Sequence, residues 1–256
     1  MGVQLMDQDL IRILDRMKQN CKVEEETHCD CPICEDKGYT FQIDKDGYEV
    51  AIPCKCLSKK QSIEKMNRSG LTEVFKQKTI NSFKTDKKWQ IEAKYKAKQY
   101  IENFLENRSS GLILTGQPGS GKTHLGIATM LELINNNVGC VYKEYLTMIT
   151  DLKQTSMDET DYIRELEKYT NPPVLFLDDF LKGEPTQADL KHIYKVINTR
   201  YLKGMPMIIS TEKSIKEILN WDEAIGSRLI EMSQGNVIEF PRDCSNNYRL
   251  RNIIGA

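Results

Sequence analysis

The 256-residue sequence predicts an α/β fold: a doubly wound parallel sheet preceded by a small cysteine-rich module. Three observations predict it. An apolar run at 112–115 leads through a glycine-rich loop into a helical pattern, a second apolar run at 174–177 ends in two acids, and five of the eight cysteines fall between Cys29 and Cys56.

The glycine-rich loop is the most specific signal. Gly116-x4-Gly121-Lys122-Thr123 follows the run Leu112 to Thr115 and precedes a helix with Leu125, Ala128, Leu131 and Leu133, the strand, loop and helix context that a P-loop needs. Gly116, Gly119 and Gly121 let the backbone curl so that its N–H groups face phosphates at the positive end of the helix. Lys122 then reaches the β- and γ-phosphates of ATP, and the Thr123 hydroxyl binds Mg2+. Gln117, Pro118, Ser120 and His124 complete the nucleotide-binding stretch.

In "NPPVLFLDDF" the run Val174 to Leu177 reads as a buried strand. Asp178 at its end is placed to hold Mg2+ with Thr123, and Asp179 to polarise the attacking water. The next strand, "MPMIISTE", ends in Ser210, Thr211 and Glu212. Ligands sit at the carboxyl ends of parallel strands, so these groups should face the γ-phosphate. Leu190, Ile193, Tyr194, Ile197 and Tyr201 are predicted on one helical face, and Ile225, Leu229 and Met232 on another, with Arg228 at its edge. The leading helix of the sheet is read from Trp89, Ala93, Ala97, Tyr100, Ile101 and Phe104.

The cysteines point to metal. Cys31-x2-Cys34, nineteen residues, then Cys54-x-Cys56 supplies four soft ligands, the number and type that tetrahedral zinc takes, with no open position, so the metal is structural. The intervening stretch alternates around Asp46-Gly47, a hairpin signal that brings the second pair back to the first. The second pair has a short spacing, which leaves Cys29 and His28 as substitute ligands and reduced or redox-active thiols as the other reading. Cys21, Cys140 and Cys244 read as isolated small apolar residues. Met6, Leu10, Ile13, Leu14 and Met17 form an apolar stripe on a terminal helix. The expected domains are therefore 1–70, helix plus zinc module, and 71–256, the ATPase domain.

Composition excludes little. No run approaches the roughly 18 apolar residues of a membrane span, and the start has no apolar signal region, so a cytoplasmic protein is expected. Lysine plus arginine (36) balances aspartate plus glutamate (37), which says nothing about nucleic acid. Residues 55–98 are rich in lysine with interleaved Phe75, Phe83, Trp89 and Tyr95. Solvated helix faces and core aromatics explain this first, and a surface for single-stranded DNA second, with no contacting residue assigned.

Taken in order, the paired cysteines, the P-loop, "LDDF", "INTRY", "IISTE", "GSR" and "NYRLR" resemble the bacterial and phage replicative-helicase loaders of the DnaC and DnaI type, which are AAA+ ATPases. The resemblance spans roughly Cys31 to Arg251. It implies an AAA+ core without a C-terminal lid, in which Lys122 and Thr123 match Walker A, Asp178 and Asp179 match Walker B, and Ser210 or Thr211 matches sensor 1. Arg228 in "GSR" matches an arginine finger acting across a subunit interface, Arg249 a sensor 2 arginine, and residues 76–83 the segment near the adenine. Many AAA+ proteins carry Asn at sensor 1, a departure that leaves this position open, and few residues follow Arg249.

The implied partners are a hexameric replicative helicase gripped by the cysteine module, single-stranded DNA, and further copies of the chain in a ring or spiral. A transposition helper ATPase of the IstB type shares this core and is the alternative. A zinc adaptor whose nucleotide site only stabilises the fold is a third reading, against which Asp178, Asp179 and Arg228 argue.

Overall fold

The computed structural model describes residues 31–61, 64 and 77–250, apart from 46, 58 and 184. The terminal stripe, His28, Cys29, Phe75 and the expected boundary near Gly70 lie outside them. The chain divides into two compact units between Cys54 and Lys55.

The first unit is built on an antiparallel hairpin of β1 (Tyr39–Ile43) and β2 (Glu49–Pro53), with Tyr39 opposite Pro53 and Ile43 opposite Glu49. The expected alternation of apolar and polar residues is present, yet neither strand has a buried residue: Phe41 is 59% exposed and Ile43 77%, and Tyr48, in the turn before β2, is 71% exposed. What is buried instead is sulfur, at Cys31, Cys34 and Cys54.

The second unit is a five-stranded, all-parallel sheet in the order β4-β5-β6-β3-β7. Its strands are β3 (Leu112–Gly116), β4 (Cys140–Glu144), β5 (Val174–Phe180), β6 (Met207–Thr211) and β7 (Val237–Phe240). The central strands β3 and β6 are buried at every residue, because helices cover both faces of a parallel sheet and leave no wet side. Side chains nevertheless alternate: Leu112, Leu114, Phe176 and Ile208 pack into one core, and Ile113, Leu175, Leu177 and Ile209 into the other.

The first core lies under α1 (Lys88–Asn107) and α2 (Lys122–Asn135). In α1 the expected Ala93, Ala97, Tyr100, Ile101 and Phe104 are buried and Trp89 packs against them. Phe83 is buried in the same core, whereas Tyr95 is 60% exposed. The second core lies under α3 (Tyr145–Gln154), α4 (Glu159–Thr170), α5 (Gln187–Leu202), α6 (Ile215–Trp221) and α7 (Glu223–Ser233).

Helix α5 corrects one expectation. Its buried face carries Ile193, Val196, Ile197 and Arg200, while Tyr194 is turned to the surface. The completely buried Arg200 donates to the carbonyls of Tyr169, Pro172, Pro173 and Pro206. It ties the approaches to β5 and β6, where prolines remove backbone donors, so a planar fork with several N–H groups replaces them. Among the described residues, no helix is long and apolar enough to cross a membrane.

Candidate nucleotide site and thiol cluster

The P-loop follows β3, which lies between β6 and β7, so the loop opens at the carboxyl end of the sheet where the strand order reverses. Its tightness needs glycine at two points in particular. A Cβ on Gly119 (φ +72°) would lie 1.9 Å from Asn247 Oδ1, and one on Gly116 (φ +144°) 2.4 Å from the Phe240 carbonyl. Helix α2 begins at Lys122 with no side chain capping its N-terminus and no acid in its first turn, which leaves its N–H groups and dipole for an anion. Lys122 is 5% exposed and donates to the Gln117 carbonyl at 2.7 Å, folded back along the loop. Burial lowers its pKa, against the pull of Glu212, Asp179 and Asp178.

Beside the loop stand the two acids at the end of β5. Asp178 is 5% exposed and accepts from Thr123 Oγ1 at 3.0 Å, from Ser210 Oγ and from Tyr142 Oη at 2.9 Å. Burial raises its pKa, and the three hydroxyl donors work against that rise. An oxygen-rich pair, a P-loop hydroxyl against a buried carboxylate, fits the hard-cation chemistry of Mg2+. Asp179 breaks the strand: the register between β5 and β6 shifts between Leu177 and Phe180, and Asp179 and Leu181 have φ of +54° and +60°. A bulge with non-glycine residues in the left-handed region re-aims a side chain at a cost, a feature common at functional sites. The Asp179 carboxylate pairs with Lys182 Nζ at 2.7 Å, and its N–H donates to Ser210 Oγ at 3.0 Å.

Of the two hydroxyls expected at the end of β6, Ser210 therefore joins the acids. Thr211 does not: it is fully buried and donates to the Phe180 carbonyl across the bulge.

Two cavities flank the loop. One of about 220 Å³ is lined by Phe83, His124 and Tyr248, with Lys84 and Gln90 at its wall. His124 is fixed by Ser82 Oγ and the Thr79 carbonyl, each 3.2 Å away, and stands edge-on to Phe83. The other, about 270 Å³, is lined by Asp179, Lys182, Glu212, Lys213, Glu217 and Arg242. A cavity lined by aromatic rings on one side of a phosphate loop and a charged chamber on the other match the two ends of a nucleoside triphosphate.

The segment before Arg249 closes the aromatic-lined cavity. Gln117 and Asp243 exchange two hydrogen bonds of 2.7 Å, Tyr248 N–H donates to the Gly119 carbonyl, and Gln90 donates to the Tyr248 hydroxyl. Arg249 itself is exposed, and its charge opposes those of Lys122 and Lys182. Arg228 lies on its own surface, its guanidinium 5.3 Å from the Tyr194 ring and 5.5 Å from Tyr201, with Nη1 on the Ala224 carbonyl. Tyr194 and Tyr201, expected on one face of α5 with Ile193 and Ile197, thus serve as the bed of Arg228. Tyr142, Lys182 and Gln90 carry no motif, and Tyr248, although it stands in "NYRLR", was given no role from the sequence.

The sulfur atoms of Cys31, Cys34, Cys54 and Cys56 lie within 4.8 Å of one another, with Cys31 and Cys54 3.7 Å apart. A tetrahedron with Zn–S bonds of about 2.3 Å has an S···S edge of about 3.8 Å. Gly38 N–H donates to Cys34 Sγ, and Glu35, Asp36 and Gly38 adopt positive φ, so the turn after the first pair wraps backbone around sulfur. The donor set fits zinc.

The sheet order, the P-loop and the acids at the end of β5 define a P-loop ATPase of the AAA+ class. The family model for IstB-like ATP binding proteins matches residues 57–234, and the chain belongs to that family. It is 34% identical to the phage-like element PBSX protein XkdC of Bacillus subtilis over 79% of each chain. To the replicative helicase loader DnaC of Escherichia coli it is 24% identical, over 66% of this chain and 69% of that one. A crystal structure of the DnaC helicase loader superposes with a TM-score of 0.56 at 24% identity, covering 66% of this chain and all of that one.

Proposed function

We propose that this ATPase places a replicative DNA helicase on single-stranded DNA, with the hairpin unit as the part that grips the helicase. The observation that carries the proposal is an ATPase with its own thiol-clustered hairpin whose Phe41, Ile43 and Tyr48 face solvent. Phe41 and Ile43 share one face of the hairpin with Tyr39, and exposed apolar side chains grouped in this way mark interaction surfaces. Similarity to a protein named as a replicative helicase loader supports the choice of partner.

In this reading the P-loop N–H groups and Lys122 bind the phosphates, and Phe83, His124 and Tyr248 hold the base. Thr123 and Asp178 hold Mg2+, which neutralises charge developing on the phosphates. Asp179 takes the proton of the attacking water once its pair with Lys182 opens, and Ser210 keeps the two acids in register. Arg228 is offered to the nucleotide of a neighbouring copy, which requires it to leave Tyr194 and Tyr201. Four thiolates on zinc organise the hairpin and take no part in hydrolysis.

The test is co-purification with the host's replicative helicase in ATP and in ADP, followed by mass determination. A nucleotide-sensitive complex of defined stoichiometry is expected; free helicase under both conditions would overturn the loader reading. Arg228→Ala should bind ATP normally and lose assembly-stimulated turnover by about 10³-fold. A normal response of that variant to partner and DNA would remove the finger. The IstB-like family match favours one other reading, a transposition helper, which predicts preference for long duplex DNA and capture of a transposase.

A further inference from the structure

Tyr142 stands in the middle of β4, an edge strand that carries none of the sequence motifs. Its Cα is in register with Phe176, and that of Glu144 with Asp178. Two residues along a strand advance about 6.6 Å and return to the same face. A tyrosine leaning along its strand covers that step, which brings the Tyr142 hydroxyl from the level of Phe176 to Asp178 Oδ2, where it donates at 2.9 Å. Phe176, fully buried, fixes the ring from below in an edge-to-face contact, centroids 5.3 Å apart at 79°.

The opposite oxygen, Oδ1, takes Ser210 and Thr123. The carboxylate is thus held by hydroxyls from three elements: Ser210 from β6, Thr123 from the P-loop helix and Tyr142 from β4. Tyr142 alone restrains Oδ2 among these donors. We infer that Tyr142 is a positioning residue for Mg2+–nucleotide binding, acting through Asp178 by fixing the plane of its carboxylate. The inference rests on the assignment of Asp178 to Mg2+. Without the hydroxyl, Oδ2 loses its donor in a site nearly closed to water, and the carboxylate turns about its Cβ–Cγ bond. Groups that hold a metal's ligands in this way are worth 10- to 100-fold in metal affinity.

Tyr142→Phe keeps the ring and its contact with Phe176 and removes only the hydroxyl. Binding of a fluorescent N-methylanthraniloyl ATP to the full chain is measured in EDTA and through a Mg2+ titration. We expect unchanged affinity in EDTA and a Mg2+ midpoint raised about tenfold or more. A wild-type Mg2+ midpoint in the variant would overturn the inference. So would an equal loss of affinity with and without Mg2+, which is what a packing role predicts. If the wild-type chain shows no Mg2+-dependent tightening, the assignment of Asp178 to Mg2+ falls, and the role of Tyr142 with it; Asp178→Asn, expected to abolish the tightening, separates that failure from the other two.

Discussion

The hairpin unit and the sheet unit solve the same problem by opposite means. In the sheet, every residue of β3 and β6 is buried and two apolar cores cover its faces. In the hairpin, no strand residue is buried and the interior is three cysteines. A two-stranded hairpin without a core is marginal in water. Apolar burial holds one unit; in the other a cluster of four thiols stands where a core would be, and the apolar side chains of the strands face solvent.

The sharpest way to break this contrast is to remove the zinc proposed for the thiol cluster. Zinc on four thiolates contributes on the order of 10 kcal/mol to folding a small module. A chelator, or Cys34→Ser, should therefore abolish the hairpin's amide protection in hydrogen exchange and leave the thermal transition of the sheet unit unchanged. A hairpin that survives both would be held by something other than metal.

The next largest effect belongs to the sheet unit. Arg200→Leu leaves four buried carbonyls without their donor and should cost about 3–5 kcal/mol, read as a shift of the denaturation midpoint. Hydrogen exchange in the hairpin should not change.

Close packing is tested by Gly126→Ala in α2. The new Cβ would meet the Phe176 ring at 2.4 Å, in a core that cannot yield. Alanine gains about 1 kcal/mol of helix propensity, and overpacking costs 1–3 kcal/mol. A net loss of up to about 2 kcal/mol is expected; a more stable variant would show that the core has slack.

Smallest in stability is Ile43→Ser on the exposed hairpin, within about 0.5 kcal/mol of wild type by thermal unfolding. The comparison predicts that this variant folds, keeps its ATPase activity and loses capture of the helicase. Undiminished capture would move the docking surface elsewhere.

Much of this site was legible because its chemistry is local. The P-loop needs a strand, glycines, Lys122 and Thr123 within one short stretch, and Asp178 and Asp179 follow their strand directly. The thiol cluster was legible for the same reason: two knuckles and a hairpin signal between them. Ser210 and Thr211 could not be told apart, because adjacent strand residues point to opposite sides and only the β5 bulge decides which hydroxyl meets the acids. Tyr194 and Tyr201 fit a helical apolar face by period, yet the guanidinium of Arg228 lies over them on the surface.

The sequence by itself determined the α/β class, the nucleotide loop, the acids and the thiol pairs, since each depends on neighbours in the chain. Only the tertiary structure decided what surrounds them. Tyr142 reaches Asp178 because β4 pairs with β5 in one register, Tyr248 lines the base slot because the chain returns past Gly119, and Arg200 is buried because four carbonyls converge on it. Contacts between residues far apart in sequence are set by strand order and register, which no local spacing records.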